Sequence, residues 1–454
     1  MLDQGGGTPG GPPAARIGAT LERRLAALRE QRRAASSSQT GLEAPALIRR
    51  SPDAVERLAR AVDGEAVATA SGAYVRIDRT PRAIPVDRGA LAMLPSLPSP
   101  DARLVCLDTE TTGLGTASGT VAFLVGLGWW EGDRFVQRQL LLPDQSDEPG
   151  LLEALRRDLP PDATLVSYNG RAFDWPLLVA RYRMGRTAPP GLAGHLDLLP
   201  FVRRHFRHRL PDARLRTVER ELLGLRRVGD VDGWEIPGRY LGFLRGGDPA
   251  ALTDVVSHND EDVRSLARLI AHVAGYLGRP AAWADGHPGD LEALATTLRR
   301  ADRADEALAC LEAALGTWDA LPGPESGSRH APGASSLPTR AALAAGRARL
   351  LARLRRNAEA ATAWEAIAGE GGPAAAVAWV EVAKLREHRL RDPAGALDAT
   401  GRAATLAERS RALGRPLDAL ENDVLRRDAR LRRRLARAAA RPRSAAVSRW
   451  RAPA

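Results

Sequence analysis

From Arg103 onward, short apolar runs alternate with segments whose apolar residues recur at helical spacing. Runs of the first kind, typical of buried strands, are RLVCLDTE (103–110), TVAFLVGLGWW (120–130), RFVQRQLLL (134–142) and ATLVSYN (163–169). Helical spacing predicts helices over 149–159, 172–184, 199–206 and 215–223. Asp248-Pro249 is typical of a helix start, and that helix is predicted to run to about Tyr276. This order predicts an α/β domain over residues 100–277.

The pattern of residues 1–99 predicts an N-terminal region that is partly disordered. Residues 1–15 are rich in glycine and proline, and residues 16–34 have the spacing of a short basic helix. A second short helix is predicted over 51–63, and the sequence GEAVATASGAYVRID predicts a hairpin that turns at Ser71-Gly72.

The strand pattern ends near residue 282, and an all-α region is predicted over 282–424. Similar segments begin at residues 304, 357 and 393. The 36-residue interval between the second and third is close to the tetratricopeptide period of about 34. The longer first interval contains LPGPESGSRHAPGASSLPT (321–339), which we expect to be a disordered insert. The region therefore resembles tetratricopeptide repeats in period and small-residue placement, and an irregular helical bundle is the alternative.

The net charge of +11 is concentrated in an arginine-rich tail, residues 425–454. This tail has eleven arginines and a single acid, Asp428. It is either a phosphate-binding arm or a solubilising disordered end. Cys106 and Cys310 are isolated, which predicts neither a disulfide framework nor a zinc knuckle. With no apolar run of membrane-spanning length and no secretory signal pattern, we expect a cytoplasmic protein without a membrane partner.

Carboxylates follow two of the predicted strands. Asp108 and Glu110 end an apolar strand, and the period of two places both on one side of the sheet. Adjacent like charges raise each other's pKa unless a cation neutralises them. Asp174 follows the next apolar run at a predicted helix start, where α/β sheets gather functional groups. A helix cap before Pro176 is the alternative for Asp174.

The predicted long helix adds His258 and Asp262, which share one face because they are four residues apart. An ionised aspartate on this otherwise apolar stripe needs a partner, and a metal ion would serve. Asp260 and Glu261 are expected on a solvated face. Such a carboxylate set suits two Mg²⁺ or Mn²⁺ ions for phosphodiester hydrolysis. His258 is placed to take the proton of the attacking water.

Three motifs then resemble those of the DEDD superfamily of 3′–5′ exonucleases. They are LDTETTGL (107–114), YNGRAFDWP (168–176) and HNDEDV (258–263), and the intervening segments 195–224 and 230–248 resemble the YprB-like ribonuclease-H-like family. The resemblance covers about residues 100–275. It implies a ribonuclease-H-like mixed sheet flanked by helices, here followed by an all-α helical-repeat domain.

The resemblance also implies roles for particular residues. Asp108, Glu110, Asp174 and Asp262 match the metal ligands, and His258 matches the residue that orients or deprotonates the attacking water. The chain departs from the usual histidine-type pattern, because three residues rather than four separate His258 from Asp262. The remaining matches are to positions that hold or flank the substrate strand: Thr109, Thr111, Leu114, Asn169 and Phe173. The Phe173 ring either stacks on a base or lies in the core.

These features predict a metal-dependent 3′–5′ exonuclease acting on single-stranded DNA or RNA, whose helical repeats bind a protein partner or position substrate. The alternatives are a catalytically idle nucleic-acid-binding or scaffold protein and a structure-selective endonuclease. Two further features also have two interpretations. RRHFRHR (203–209) is a phosphate contact or a solvated helix end, and Asp197 is a helix cap or a neighbour of the site.

Overall fold

The computed structural model describes residues 53–94, 99, 101–113, 119–283, 285–321, 338–372 and 374–440. The chain divides into two compact units, Met1–Ala54 and Val55–Ala454, and nearly all described residues belong to the second. The predicted disordered N-terminus, the helix over 16–34 and almost all of the predicted 321–339 insert lie outside the described residues.

A seven-stranded mixed sheet in the order β1-β2-β5-β4-β3-β6-β7 forms the centre of the second unit. β3 pairs antiparallel with β4 and parallel with β6, and β7 adds to β6 in parallel. The remaining pairs are antiparallel. The strands are β1 (Glu65–Thr69), β2 (Gly72–Ala83), β3 (Arg103–Thr111), β4 (Ala122–Glu131), β5 (Arg134–Leu141), β6 (Ala163–Ser167) and β7 (Gly194–Asp197).

Helices cover both faces of the sheet. Along β3, Leu104 and Cys106 pack into one core while Val105 and Leu107 pack into the other, as the period of two requires. The helices of this part are α1 (Ala54–Ala61), α2 (Arg88–Leu91), α3 (Glu148–Asp158), α4 (Asp174–Met184), α5 (Leu198–His205), α6 (Leu215–Leu222), α7 (Ile236–Leu244) and α8 (Thr253–Gly278). Short 3₁₀ turns occupy Gln145–Asp147, Pro249–Leu252 and Pro280–Trp283.

The observed sheet confirms the predicted fold class and differs from the prediction at its edges. The strands and helices predicted between residues 103 and 276 are present with small shifts at their ends. The hairpin predicted in the N-terminal region forms β1 and β2, and β2 joins the sheet along β5. The sheet thus crosses the domain boundary predicted near residue 100. The four-residue β7 and the helix α7 were not predicted, and both are short.

Helices are the only regular elements among the described residues after Trp283, as predicted. Each packs against the next, and the three similar segments begin α10, α12 and α14. Helix α15 runs through residue 425, where the arginine-rich tail was predicted to begin, and residues 441–454 lie outside the described ranges. The helices are α9 (Pro288–Arg300), α10 (Ala304–Ala320), α11 (Arg340–Arg353), α12 (Asn357–Gly369), α13 (Ala375–His388), α14 (Pro393–Ala412) and α15 (Asp418–Ala439).

Cys106 and Cys310 are both buried and free. None of the helices in the described ranges combines the length and apolar character that a membrane crossing requires.

Candidate active site

The end of β3 directs polar side chains to both faces of the sheet. Asp108 and Glu110 continue the face that carries Leu104 and Cys106, which is covered by α8. Thr109 continues the opposite face, and its hydroxyl donates to Asp174 Oδ1 at 2.5 Å. One strand end therefore contacts both helices that carry the other predicted carboxylates.

Asp108 is held by an amide side chain from α8. Asn259 Nδ2 donates to Asp108 Oδ2 at 2.9 Å, and Gln139 of β5 donates to Asn259 Oδ1 at 2.9 Å. Burial raises the pKa of Asp108 well above its usual range, the charges of three neighbouring carboxylates raise it further, and the Asn259 hydrogen bond opposes the rise. The fold thus fixes this carboxylate without supplying a positive charge.

Close packing at Gly126 makes the Asn259 contact possible. Gly126 lies opposite Asp108 in the β3–β4 pairing. A Cβ on Gly126 would lie 2.3 Å from Asn259 Oδ1 and 2.6 Å from Val263 Cγ2. Only glycine therefore lets α8 approach β4 closely enough to place Asn259 against Asp108.

Glu110 accepts no side-chain hydrogen bond within the ranges that the structure describes. Burial and the charges of Asp262, Asp174 and Asp230 raise the pKa of Glu110 to about 8, and Arg227 opposes the rise. Ligand atoms of Glu110, His258 and Asp262 all lie within 4.8 Å of one another. This carboxylate would be strongly stabilised by an added cation.

Asp174 is the first residue of α4, directly after a tight turn. Asn169 adopts a φ of +69°, and a Cβ on Gly170 would lie 2.6 Å from the Ser167 side chain and 3.1 Å from Asp174 Oδ2. Burial raises the pKa of Asp174, and the Thr109 hydrogen bond opposes the rise. The turn therefore places the Asp174 carboxylate in contact with the end of β3.

Asp197, at the end of β7, stabilises the same turn through hydrogen bonds. Its carboxylate accepts from the backbone N–H groups of Asn169 at 2.8 Å and Arg171 at 3.3 Å. It also accepts from Leu199 N–H at 3.0 Å, which caps α5. Asp197 is therefore both a helix cap and a neighbour of the site, since it caps α5 and supports the turn beside Asp174.

His258 and Asp262 lie one helical turn apart on α8, with His258 Nε2 3.5 Å from Asp262 Oδ2. Because a carboxylate only accepts, the Nδ1–H of His258 donates to Asp230 Oδ1, at 2.6 Å. Burial would raise the pKa of Asp230, but the contact with His258 and the charges of Arg227 and Arg216 lower it. Asp230 thus leaves Nε2 as the ring nitrogen that faces the carboxylates.

Arg227 also contacts Asp262. Its guanidinium donates to Asp262 Oδ1, to Glu219 and, at 3.2 Å, to Asp230 Oδ2. Glu219 and Arg227 are nearly inaccessible to solvent, with side chains 2% and 8% exposed. Among the described residues, Arg227 is the one arginine in an ion pair with any of the four predicted ligands.

Sequence reasoning missed four of these residues: Asn259, Asp230, Arg227 and Glu219. Asn259 lies inside the HNDEDV motif, where an amide beside His258 and three acids has no separate sequence signal. Asp230 and Arg227 lie in an irregular segment, and its sequence pattern does not predict which way their side chains point. Asp260, expected in solvent, is only 8% exposed, because Gln137 and Arg264 bind its carboxylate.

The predicted substrate-flanking residues surround the carboxylates to different degrees. Phe173 precedes α4 with half of its surface exposed, so it is available for stacking and is not a core aromatic. Thr111 donates to the carbonyl of Gly113 at 2.7 Å, and Asn169 forms the turn before Asp174. Leu114 lies outside the described residues.

The donor set fits a hard divalent cation. Burial raises the pKa of three of the four carboxylates, and each of these three also faces other acids. Carboxylate oxygens without thiolates are the ligands that Mg²⁺ and Mn²⁺ prefer. Such a cation would offset the surplus of partly buried negative charge.

Comparison with known proteins identifies the same region. A family model described as RNase_H superfamily matches residues 105–274, which extend from β3 into α8. The chain is 40% identical over 174 residues to a Bacillus subtilis (strain 168) protein named Uncharacterized protein YprB. The aligned part covers 38% of this chain and 42% of that relative, so the chain spans about two-fifths of the relative's length. The resemblance to the YprB-like ribonuclease-H-like family is thereby confirmed, while the relative's name states no activity.

Proposed function

With residues 105–274 as a ribonuclease-H-like domain, we propose that this chain is a metal-dependent 3′–5′ exonuclease that hydrolyses phosphodiester bonds of single-stranded nucleic acid. One observation carries the proposal. Asp108, Glu110, Asp174 and Asp262 lie close enough to act on one another electrostatically, and the first three are partly buried and form no ion pair with a cation in the described part of the chain. Such an arrangement costs stability, which favours a functional explanation over a structural one.

Asp108, Glu110, Asp174 and Asp262 would hold two Mg²⁺ or Mn²⁺ ions. When bound, a pair of such ions supplies an activated water and stabilises charge on the leaving oxygen of a phosphodiester. Arg227 occupies one oxygen of Asp262 and leaves Oδ2 on the side of His258. Asn259 and Thr109 would fix the carboxylates before any ligand binds.

His258 would accept the proton of the attacking water at Nε2. The Asp230 hydrogen bond sets the tautomer, because it keeps a proton on Nδ1 and leaves Nε2 free to accept. The same contact would stabilise the imidazolium after proton transfer. The three-residue separation from Asp262 suits this role, since it places both side chains on the same face of α8.

The substrate end would lie between β3 and the start of α4. Phe173 offers an exposed ring on which a base would stack. Thr109, Thr111 and Leu114 would hold the terminal nucleotide, where backbone groups meet sugar and phosphate, and Asn169 would flank the substrate strand. The helical repeats after Trp283 would bind a protein partner or position the strand.

The test is degradation of 5′-labelled single-stranded DNA and RNA with Mg²⁺ or Mn²⁺. We expect a ladder of shortening products that disappears with chelator and in the variants Asp108→Ala and Asp262→Ala. Asp398→Ala, on the distant helix α14, is a matched control because it removes one exposed carboxylate of equal size. No cleavage with either metal, while binding is retained, would contradict the proposal and favour an idle binding protein.

A second assay separates the two modes of cleavage. The same oligonucleotide with a blocked 3′ end is resistant to an exonuclease and susceptible to an endonuclease. Internal cleavage of the blocked strand by the wild-type chain, lost in Asp262→Ala, would replace the exonuclease by an endonuclease that uses the same residues.

A further inference from the structure

A groove of about 570 Å³ lies beside the candidate active site and is lined by both the sheet domain and the helical region. Its walls come from residues 92–94, the turn before α4, helix α5 and the last turn of α9. Three arginines from three separate elements line it: Arg171, Arg204 and Arg300.

These arginines are free to bind an anion. All three are exposed, and within the described ranges none has an ion pair or a side-chain hydrogen bond. Most arginines that surround the active site are instead paired with acids, as Arg227, Arg239 and Arg264 are. Three unpaired guanidinium groups around one groove repel one another, and an anion would relieve that repulsion.

The acidic residue of the groove does not neutralise them. Asp197 is the one carboxylate in the lining, and backbone N–H groups of Asn169, Arg171 and Leu199 already bind it. His205 adds no charge, because burial and the charges of Arg204 and Arg300 lower its pKa to about 3. The groove is therefore positively charged.

The groove is continuous with the site through one turn. Gly170 packs against the Asp174 carboxylate, and the next residue, Arg171, lines the groove. Phe201 and Met93 give the floor an apolar part on which sugars and bases would rest. A strand whose end lies at Asp174 would meet this positive surface as it leaves.

Resting on the exonuclease function proposed above, we infer that the groove formed by Arg171, Arg204 and Arg300 binds the phosphodiester backbone of the strand whose 3′ end lies in the active site. The planar guanidinium group binds phosphate through two parallel hydrogen bonds. Arg300 belongs to α9, so the helical region becomes part of the substrate-binding surface. Arg204 is also the residue through which RRHFRHR would contact phosphate.

The inference is tested by binding without turnover. Fluorescence anisotropy of the full-length chain with 5′-fluorescein single-stranded DNA and RNA of about 12 nucleotides, in chelator, gives Kd over a series of salt concentrations. Each phosphate contact on a single strand contributes about 0.7 to the slope of log K against log salt. The triple variant Arg171→Gln, Arg204→Gln, Arg300→Gln should therefore lower that slope by about 2.

A charge-matched control separates the groove from the general effect of net charge. Arg60, Arg389 and Arg415 are exposed, have no side-chain partner in the part of the chain that the structure describes and lie outside the groove. Their triple glutamine variant should keep the wild-type slope. Equal slopes for the two triple variants would overturn the inference.

The outcomes also separate this inference from the proposed function. If the wild-type chain degrades oligonucleotides and the groove variant binds them with an unchanged salt slope, the inference about the groove is overturned and the exonuclease function is not. A groove-dependent slope without cleavage under Mg²⁺ or Mn²⁺ would support the groove and contradict the exonuclease. Unchanged oligonucleotide binding together with lost binding of fluorescein-labelled polyglutamate would assign the groove to an acidic protein segment and overturn the inference.

Discussion

Two histidines in different regions of this molecule are bound to aspartates, and each belongs to a cluster that could hold a metal ion. In the candidate active site, His258 Nδ1 lies 2.6 Å from Asp230 Oδ1, with Glu110 and Asp262 nearby. Where α9 packs against α5, His208 Nε2 lies 2.5 Å from Asp290 Oδ1, with His287 nearby.

The two clusters differ in their balance of charge. The second oxygen of Asp290 is 3.0 Å from Arg209 Nη2, and the ring of His208 stacks on that of His287 at 4.5 Å. A Cβ on Gly289 would lie 2.7 Å from the His208 ring, so little space remains there. This cluster is balanced and closely packed. Proximity of ligand atoms alone therefore does not distinguish the two clusters, whereas the excess of partly buried acid does.

The difference between the two clusters predicts that substitution of His258 has the largest effect on activity. His258→Gln should lower kcat by about 10²- to 10⁴-fold, because a positioned general base contributes that much. Melting temperature and oligonucleotide Kd should change little. The measurement is single-turnover cleavage of a labelled oligonucleotide with Mg²⁺.

His208→Gln is the matched control in the other cluster. It should keep kcat because His208 is buried beside α9, where its partner is Asp290 and none of the four candidate metal ligands. Comparable kcat values for the two variants would remove the functional distinction between the clusters.

The free energy of unfolding should depend more on the cluster around Asp290 than on the candidate active site. Asp290→Ala leaves Arg209 and His208 without their shared carboxylate in a buried position, which should cost about 3–5 kcal/mol of unfolding free energy. Urea denaturation followed by circular dichroism measures this loss. Asp398→Ala removes the partner of Arg402 on an exposed helix face, and it should cost about 0–1 kcal/mol. Equal midpoints would show that the Asp290 cluster is not structural.

The acid excess of the candidate active site should appear as a dependence of stability on pH in chelator. The pKa of Glu110 is raised from 4.5 to about 8, so the folded chain binds its proton more tightly than the unfolded chain. This contribution is complete below pH 4.5 and is lost as the pH rises through 8. Glu110→Gln does not titrate, so it should be more stable than wild type at pH 9 in chelator.

Thermal melts in chelator and in Mg²⁺, at pH 6 and pH 9, test this prediction. Wild type should gain more from Mg²⁺ at pH 9 than at pH 6, and the variant should gain less than wild type at pH 9. Parallel pH profiles for the two proteins in chelator would mean that Glu110 carries no excess charge.

Sequence reasoning reached the fold and the four carboxylates because both follow from local signals. Apolar runs end in Asp108 and Glu110, and helical spacing joins His258 to Asp262. The supporting residues have no such signal. Arg227 and Asp230 lie in an irregular segment, and Gln139 reaches Asn259 from a strand 120 residues away in sequence. Contacts of that kind depend on how α8 crosses the sheet, which no periodicity encodes.

The smallest of these effects concerns the packing that supports Asp108. Gly126→Ala would place a Cβ 2.3 Å from Asn259 Oδ1, which should move the amide away from Asp108 and lower kcat about tenfold, or about 1.4 kcal/mol. Gly128→Ala, on the same strand, meets the Phe135 ring at 2.1 Å and contacts no residue of the site. Both variants should lose stability through overpacking. Only Gly126→Ala should lose activity once unfolded chain is accounted for, so equal specific activities would show that Asn259 is not what fixes Asp108.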